Sequence, residues 1–244
     1  MIAVGLKGWA DPALASQVDA YEELEIGALG TLFERLKAHD AQQAIMAGKV
    51  TKQALLDASA TFDAEARGLI GGLSDFSVNT LLGRLGTRLA KEGITLLDSS
   101  TFLKPWLAPV GLLTSRGPSA VEEADVQYGL EVARALAALD IGQTIVVKRR
   151  VVVAVEALEG TDAAIRRAHE VAGQGLVVVK LASPTQDMRF DLPILGPHSI
   201  DVCREAGVSC IAVQAQTTLL LDRDDLLERA NTAGLCLIGI HVTT

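Results

Sequence analysis

Apolar positions along the chain fall into two rhythms. Runs of β-branched residues, such as "GLVVVKLA" (175–182), "CIAVQA" and "LCLIGIHV", are too short for helices and read as buried strands. "QTIVVKRRVVVAVEALEG" predicts a hairpin, two such runs turning at "KRR". Elsewhere the period is helical: in "GALGTLFERLKAHD", Leu29, Leu32, Phe33 and Leu36 stand at i, i+3, i+4 and i+7. "TKQALLDASA", "DAEARGLIGG" and "NTLLGRLGTRLAKEGI" also predict helices, the last stopped by Gly93. Ser119 with Glu122 three residues on makes a capping box, and Val126, Leu130, Ala133 and Ala137 continue one face beyond it. "TDAAIRRAHEVAGQG" predicts a helix ending at glycine, followed by strand 176–182. Then come a helix ("SIDVCREAG"), strands ("CIAVQA", "TLLLD"), a helix ("RDDLLERANTAG") and a last strand. "MIAVGL" and "AQQAIMAGKV" supply strands near the start.

Strands alternating with helices predict an α/β protein. Two domains are expected, 1–98 and 119–244, joined by a connector over 99–118. The connector, "DSSTFLKPWLAPVGLLTSRGPS", holds Pro105 and Pro109, which rule out a continuous helix. Two readings of its Phe102, Trp106 and Leu107 stay open: core of a crossing segment, or lining for an apolar ligand.

Composition narrows the partners. Of 244 residues, 49% are hydrophobic but only 4% aromatic, and the net charge is −8. Few aromatics and no basic excess exclude nucleic acid as the expected partner. Cys203, Cys210 and Cys236 lack metal-ligand spacing and fit reduced, buried thiols. No apolar run is long enough to span a bilayer, and the start does not resemble a signal peptide, so a cytoplasmic protein is expected.

Candidate chemistry sits where strands end. "EALEGTD" brings Glu156, Glu159, Thr161 and Asp162 to the exit of the second hairpin strand. "SPTQDMRFDLPILGP" (183–197) places Gln186, Asp187, Arg189 and Asp191 after the next one. Ligands of α/β sheets bind beyond strand ends. Hard oxygen ligands there suit Mg²⁺ or Mn²⁺, Arg189 suits a phosphate, and Lys180 adds a point charge. Each acid taken alone also has an ordinary reading, as a helix cap, a turn residue or a solvated surface group. The scattered histidines, the absence of a P-loop and the lack of any G-x-G-x-x-G after a strand leave no rival nucleotide motif.

Three long stretches, "LLDSSTFLKPWLAPVGLLT", "LDIGQTIVVKRRVVVAVEALEGTDAAIRR" and "VVVKLASPTQDMRFDLPILGP", resemble the LpxI family of UDP-2,3-diacylglucosamine pyrophosphatases. "MAGKV" and "GALGTLFERLK" resemble it too. The resemblance implies a Rossmann-like N-terminal domain and a C-terminal α/β domain, with a lipid product held between them. It implies hydrolysis of UDP-2,3-diacylglucosamine to UMP and 2,3-diacylglucosamine 1-phosphate (lipid X), in lipid A biosynthesis, with Mg²⁺ (or Mn²⁺). Asp191, in "R-x-D-L-P", is then the catalytic carboxylate and a metal ligand. Glu159 and Asp162 become further metal ligands, and Arg189, Lys180, Gln186 and Thr161 bind phosphate or substrate. Phe102, Trp106 and Leu107 become acyl-chain contacts. Peripheral contact with the inner membrane and an oligomeric state are left open.

Members of that family begin with a strand and a glycine-rich turn, whereas this sequence starts at what resembles the second strand. The expectation is a first domain that lacks its first strand, either because the start lies upstream or because the element is lost. A catalytically silent binder of a sugar nucleotide or lipid is therefore the alternative reading. A nicotinamide-dependent oxidoreductase is a weaker third one.

Overall fold

The computed structural model describes residues 1–48, 61–71, 78–139, 141–183 and 186–242. It divides into two compact units, Met1–Ser99 with Asp187–Asp191, and Ser100–Gln186 with Leu192–Thr244. Both are α/β. The helix expected over 51–60 lies outside the described residues.

In the first unit, β1 (Ile2–Leu6) pairs in parallel with β2 (Ala20–Leu24), joined through a short 3₁₀ turn, Pro12–Ser16. The pattern reading does not single out β2, because "AYEEL" carries two glutamates that interrupt its apolar run. Helix α1 (Leu29–Ala38) buries Phe33 and Leu36, the two innermost positions of its predicted stripe. Helix α2 (Ala64–Ile70) starts at Asp63, whose carboxylate accepts from Ala66 N at 2.8 Å and from Gly30 N at 2.7 Å. One side chain thus caps α2 and ties it to the first turn of α1. Helix α3 (Val78–Lys91) ends before Gly93, whose φ of +79° lets the chain turn into β4 (Thr95–Leu96), paired in parallel with β3 (Gln43–Ala44). Among the described residues the two strand pairs form two separate sheets. The core gathers Phe33, Leu36, Leu89, Ile94 and Leu96, with Phe190 packed against it.

That last contact explains a difference from the expected domain bounds. Residues 187–191 follow a strand of the second unit yet group with the first. Phe190 supplies apolar area to the first unit's core, and Ser99 N donates to Met188 O at 2.9 Å. The Ser99 hydroxyl lies 2.8 Å from the carbonyls of both Met46 and Arg189.

The second unit is built on one six-stranded sheet, ordered β5–β12–β10–β8–β6–β7. Strands β8 (Leu176–Lys180), β10 (Val208–Gln214) and β12 (Cys236–Ile240) run parallel. β6 (Thr144–Lys148) is antiparallel to both β8 and its hairpin partner β7 (Val151–Val155), and β5 (Gly111–Leu112) lies antiparallel on β12. Helix α4 (Ala120–Ala138) covers one face, where Val126, Leu130 and Ala133 meet Val147, Val177 and Val179, and Ala137 further along the stripe is buried too. Gly129 permits the close approach, since a Cβ there would come within 2.7 Å of a Val179 methyl. The other face is packed by α5 (Thr161–Ala172), α6 (Pro197–Glu205) and α7 (Arg223–Thr232) against Leu176, Val178, Ile211, Val213 and Leu237. Burial on both faces is why these strands read as unbroken apolar runs. A small parallel pair, β9 (Ile194–Leu195) and β11 (Leu219–Leu220), completes the unit, and all three cysteines are buried and free. Residues 100–118 lie with this unit: Ala108 is in its core and Ala108 N donates to Thr218 O at 2.8 Å.

Two buried carboxylates fix local geometry that the pattern alone does not show. The hairpin turns through Arg149 and Arg150, both in the left-handed region (φ +50° and +60°), as a two-residue primed turn requires. Arginine has no special tolerance for that region. Asp125, only 2% exposed, holds the turn by accepting from both amides, at 2.9 and 2.5 Å. Arg116 makes a two-pronged contact with Glu122, each prong 2.9 Å, and also donates to the carbonyls of Gly234 and Ser209. That guanidinium, ahead of the capping Ser119 amide, holds the Glu122 carboxyl down to about 2.

Asp125→Ala removes both acceptors from strained, partly buried amides and should destabilise the protein by roughly 1–3 kcal/mol, read as a lower urea midpoint. For Glu122, the folded value lies below its ordinary 4.5, so its contribution is complete above that pH and is lost as pH falls towards 2. Lowering the pH from 6 to 3 should cost on the order of 2 kcal/mol of stability that Glu122→Gln does not lose over the same range, measured by urea titration at pH 6, 4 and 3.

Candidate functional site

Where β8 ends, the chain carries a charge into the sheet. Lys180 is the strand's last residue and only 7% exposed. Its register partner on β6 is Thr144, the first residue of that antiparallel strand, so both stand at one edge of the sheet. β7 leaves the sheet at the same edge and runs into Glu156, whose amide donates to Thr144 O at 2.8 Å. Gly142 lets the two chains pass, since a Cβ there would lie 2.0 Å from the Glu156 carbonyl oxygen. Gly160, at φ +86°, then turns the chain so that Thr161 opens α5.

These steps bring four side chains together. Thr161 Oγ1 lies 2.9 Å from Glu156 Oε1, 3.1 Å from Lys180 Nζ and 3.4 Å from Thr144 Oγ1, and Lys180 Nζ reaches Thr144 Oγ1 at 3.5 Å. Just beyond β8, Gln214 Oε1 accepts from Ala182 N and Gln186 Oε1 accepts from Ser183 N, each at 2.9 Å, fixing the path of the strand exit. A buried ammonium beside two hydroxyls and the first turn of a helix suits an anion of phosphate type.

The acids named in the sequence reading have separate settings. Asp162, in the first turn of α5, pairs with His198 of α6 at 3.4 Å. Glu159 is held by Arg167 at 2.5 Å and by Ala157 N at 3.1 Å, and backbone amides together with Arg167 keep its carboxyl below the usual range. In the first unit, Arg189 grips Asp187 with Nε (2.9 Å) and Nη2 (2.6 Å), so its fork is already filled, and this contact lowers the Asp187 carboxyl. Asp191 is half-buried in the same turn, its amide donating to Asp187 O at 3.0 Å. Among the described residues no three His, Cys, Asp or Glu side chains stand together as a metal cage. Glu159 and Asp162 lie in the second unit and Asp191 in the first.

The structure therefore gathers Lys180 and Thr161, with Gln186 shaping the adjoining turn, in the second unit, while Arg189 and Asp191 belong to the first. Thr144 is missed by sequence reading, because only the hairpin register places it opposite Lys180. Glu156 is legible only as one acid in a run. In 100–118, the reading of Phe102 and Trp106 as core residues is corrected: they are 74% and 47% exposed. Pro105 and Pro109 keep this stretch from folding its aromatic face inwards as a helix would. Leu107 is half-buried and bridges to Leu219, and Trp106 with Pro105 borders an open groove of about 590 Å³, lined otherwise by residues 222–225.

Comparison with known proteins assigns both halves of the chain. The LpxI N-terminal domain matches residues 1–106 and the LpxI C-terminal domain residues 109–238. The UDP-2,3-diacylglucosamine pyrophosphatase LpxI of Caulobacter vibrioides is 33% identical over 249 residues, an alignment covering 96% of this chain and 86% of that protein. With two domain models spanning nearly the whole sequence and a full-length relative of this similarity, the chain belongs to the LpxI family.

Proposed function

We propose that the protein hydrolyses the pyrophosphate of UDP-2,3-diacylglucosamine, releasing UMP and 2,3-diacylglucosamine 1-phosphate, as a step of lipid A biosynthesis. The observation that carries this reading is the buried Lys180 ammonium, held between two threonine hydroxyls at the head of α5. It adds to the reaction named for the relative. In the reaction, a water oxygen forms a bond to the sugar-side phosphorus. The bridging P–O bond breaks, and its electron pair leaves with UMP. Negative charge on the non-bridging oxygens rises as this happens. A fixed cation and hydroxyl donors in a site shielded from water stabilise that charge more than they stabilise the ground state. Lys180 and Thr161 take this role.

Asp191 is assigned to the attacking water, receiving its proton as the new bond forms. Its turn is held by the Asp187–Arg189 fork and by Phe190 packed against the first unit's core. Since Nε and one Nη2 hydrogen of Arg189 are taken by Asp187, Arg189 meets a phosphate through its Nη1 hydrogens and the second Nη2 hydrogen. Mg²⁺ or Mn²⁺, if required, has no cage of three protein ligands among the described residues. Phe102, Trp106 and Leu107 offer apolar surface for acyl chains, worth roughly 25 cal/mol for each Å² buried. Among the described residues no helix is long and apolar enough to cross a membrane.

Asp191→Ala should lower UMP release from UDP-2,3-diacylglucosamine by at least about 100-fold, within the 10²–10⁴-fold range typical of a lost proton acceptor, while leaving the urea midpoint near its parent value. Lipid X bound without UMP release by the parent protein would replace the hydrolase reading with that of a silent binder. Metal dependence is a separate expectation: excess chelator should abolish UMP release and added Mg²⁺ restore it, and full activity in chelator would remove the ion from the proposal.

A further inference from the structure

Within the Lys180 cluster one group has no part in the reaction as described. Glu156 follows β7, and its two carboxylate oxygens have different surroundings. Oε1 is 2.9 Å from the Thr161 hydroxyl. Oε2 is buried and receives no hydrogen bond from any described protein group. A carboxylate half satisfied in this way costs roughly 1–3 kcal/mol compared with an apolar residue of similar shape. Local packing therefore gives no reason for an acid here.

The donor and acceptor inventory supplies one. The Thr161 hydroxyl owns a single hydrogen. Its neighbours are an ionised carboxylate, which can only accept, and an ammonium, which can only donate. The polarity is thereby fixed: Thr161 donates to Glu156 and turns a lone pair to Lys180 Nζ at 3.1 Å. Without the carboxylate, the hydroxyl hydrogen is free to rotate towards the ammonium, and the Thr161 oxygen 3.1 Å from Nζ no longer turns a lone pair to it.

We infer that Glu156 is a positioning residue, acting through the Thr161 hydroxyl to hold the Lys180 ammonium where it meets a phosphate. It touches no substrate itself. The inference rests on the proposed phosphate role of Lys180, and it assigns a task to an acid that the sequence names only as one of a cluster.

The test compares Glu156→Ala, Glu156→Gln, Thr161→Val, Lys180→Met and the double variant Glu156→Ala/Lys180→Met. Each is assayed for kcat and KM on UDP-2,3-diacylglucosamine, for UDP affinity by calorimetry, and for its urea midpoint. A shift of about 1 Å in a charge-stabilising group costs up to roughly 100-fold, so Glu156→Ala should lose about that in kcat/KM and bind UDP more weakly. Glu156→Gln keeps an acceptor oxygen for Thr161 and should recover most of the loss. Thr161→Val should match Glu156→Ala, and the double variant should be no worse than Lys180→Met alone, because coupled groups are not additive. A folded Glu156→Ala protein with parent-like kcat/KM and UDP affinity overturns the inference, as does full additivity with Lys180→Met. Should the parent bind UDP yet release no UMP, the hydrolase reading falls and the inference is decided on the UDP affinities. Parent protein that neither binds UDP nor turns over substrate overturns both.

Discussion

A sheet buried on both faces leaves its strands one place to present polar groups, and that is where they end. The second unit obeys this constraint throughout. Leu176 to Val179 alternate between the two cores without interruption, and Lys180 comes at the first position where the strand can hand its side chain to something other than hydrocarbon. An ammonium with so little exposure needs acceptors. Those acceptors come from the neighbouring strand ends, Thr144 from β6 and Thr161 from the turn after β7. The cluster is thus a consequence of sheet order: β6 lies between β8 and β7, so its first residue and the residues following its partner meet at the same edge.

The same logic separates what could be read in the sequence from what could not. Features set by neighbours a few residues apart are legible. The capping box of Ser119 and Glu122, the stripe Val126–Leu130–Ala133–Ala137, the hairpin at "KRR" and the stop at Gly93 all appear where the pattern puts them. Features set by pairing across long stretches are not. Thr144 is an unremarked β-branched residue until register sets it against Lys180. Asp125 looks like another polar position on a helix, yet it clasps the tip of a hairpin 24 residues away. Strand β2 escapes because Glu22 and Glu23 break its run, which a strand in a two-stranded sheet tolerates.

Acids that adjoin in the sequence take separate partners in the fold. A run such as "EALEGTD" concentrates carboxylates and invites a metal reading, but the fold gives each a different partner. Glu159 turns to Arg167, Asp162 to His198 and Glu156 to Thr161. Only the last communicates with the buried cation. Charge density along the chain is therefore a poor guide to charge density in space, since residues bordering a helix start fan out around its axis.

The motif "QDMRFDLP" carries the argument one step further. Its polar residues look interchangeable in the sequence, but the structure divides their labour. Gln186 belongs to the second unit and braces the exit of β8, while residues 187–191 make a turn in the first. Within that turn Phe190 supplies the anchor and Asp187 the acceptor that occupies Arg189. Stacked against α3 at Gly86, where a Cβ would lie 3.4 Å from its Nη1, the arginine is confined on one side as well. A guanidinium so placed holds the turn through its contact with Asp187. Asp191 closes the same turn, its amide donating to Asp187 O at 3.0 Å, so the contacts that occupy Arg189 also fix the backbone that carries Asp191.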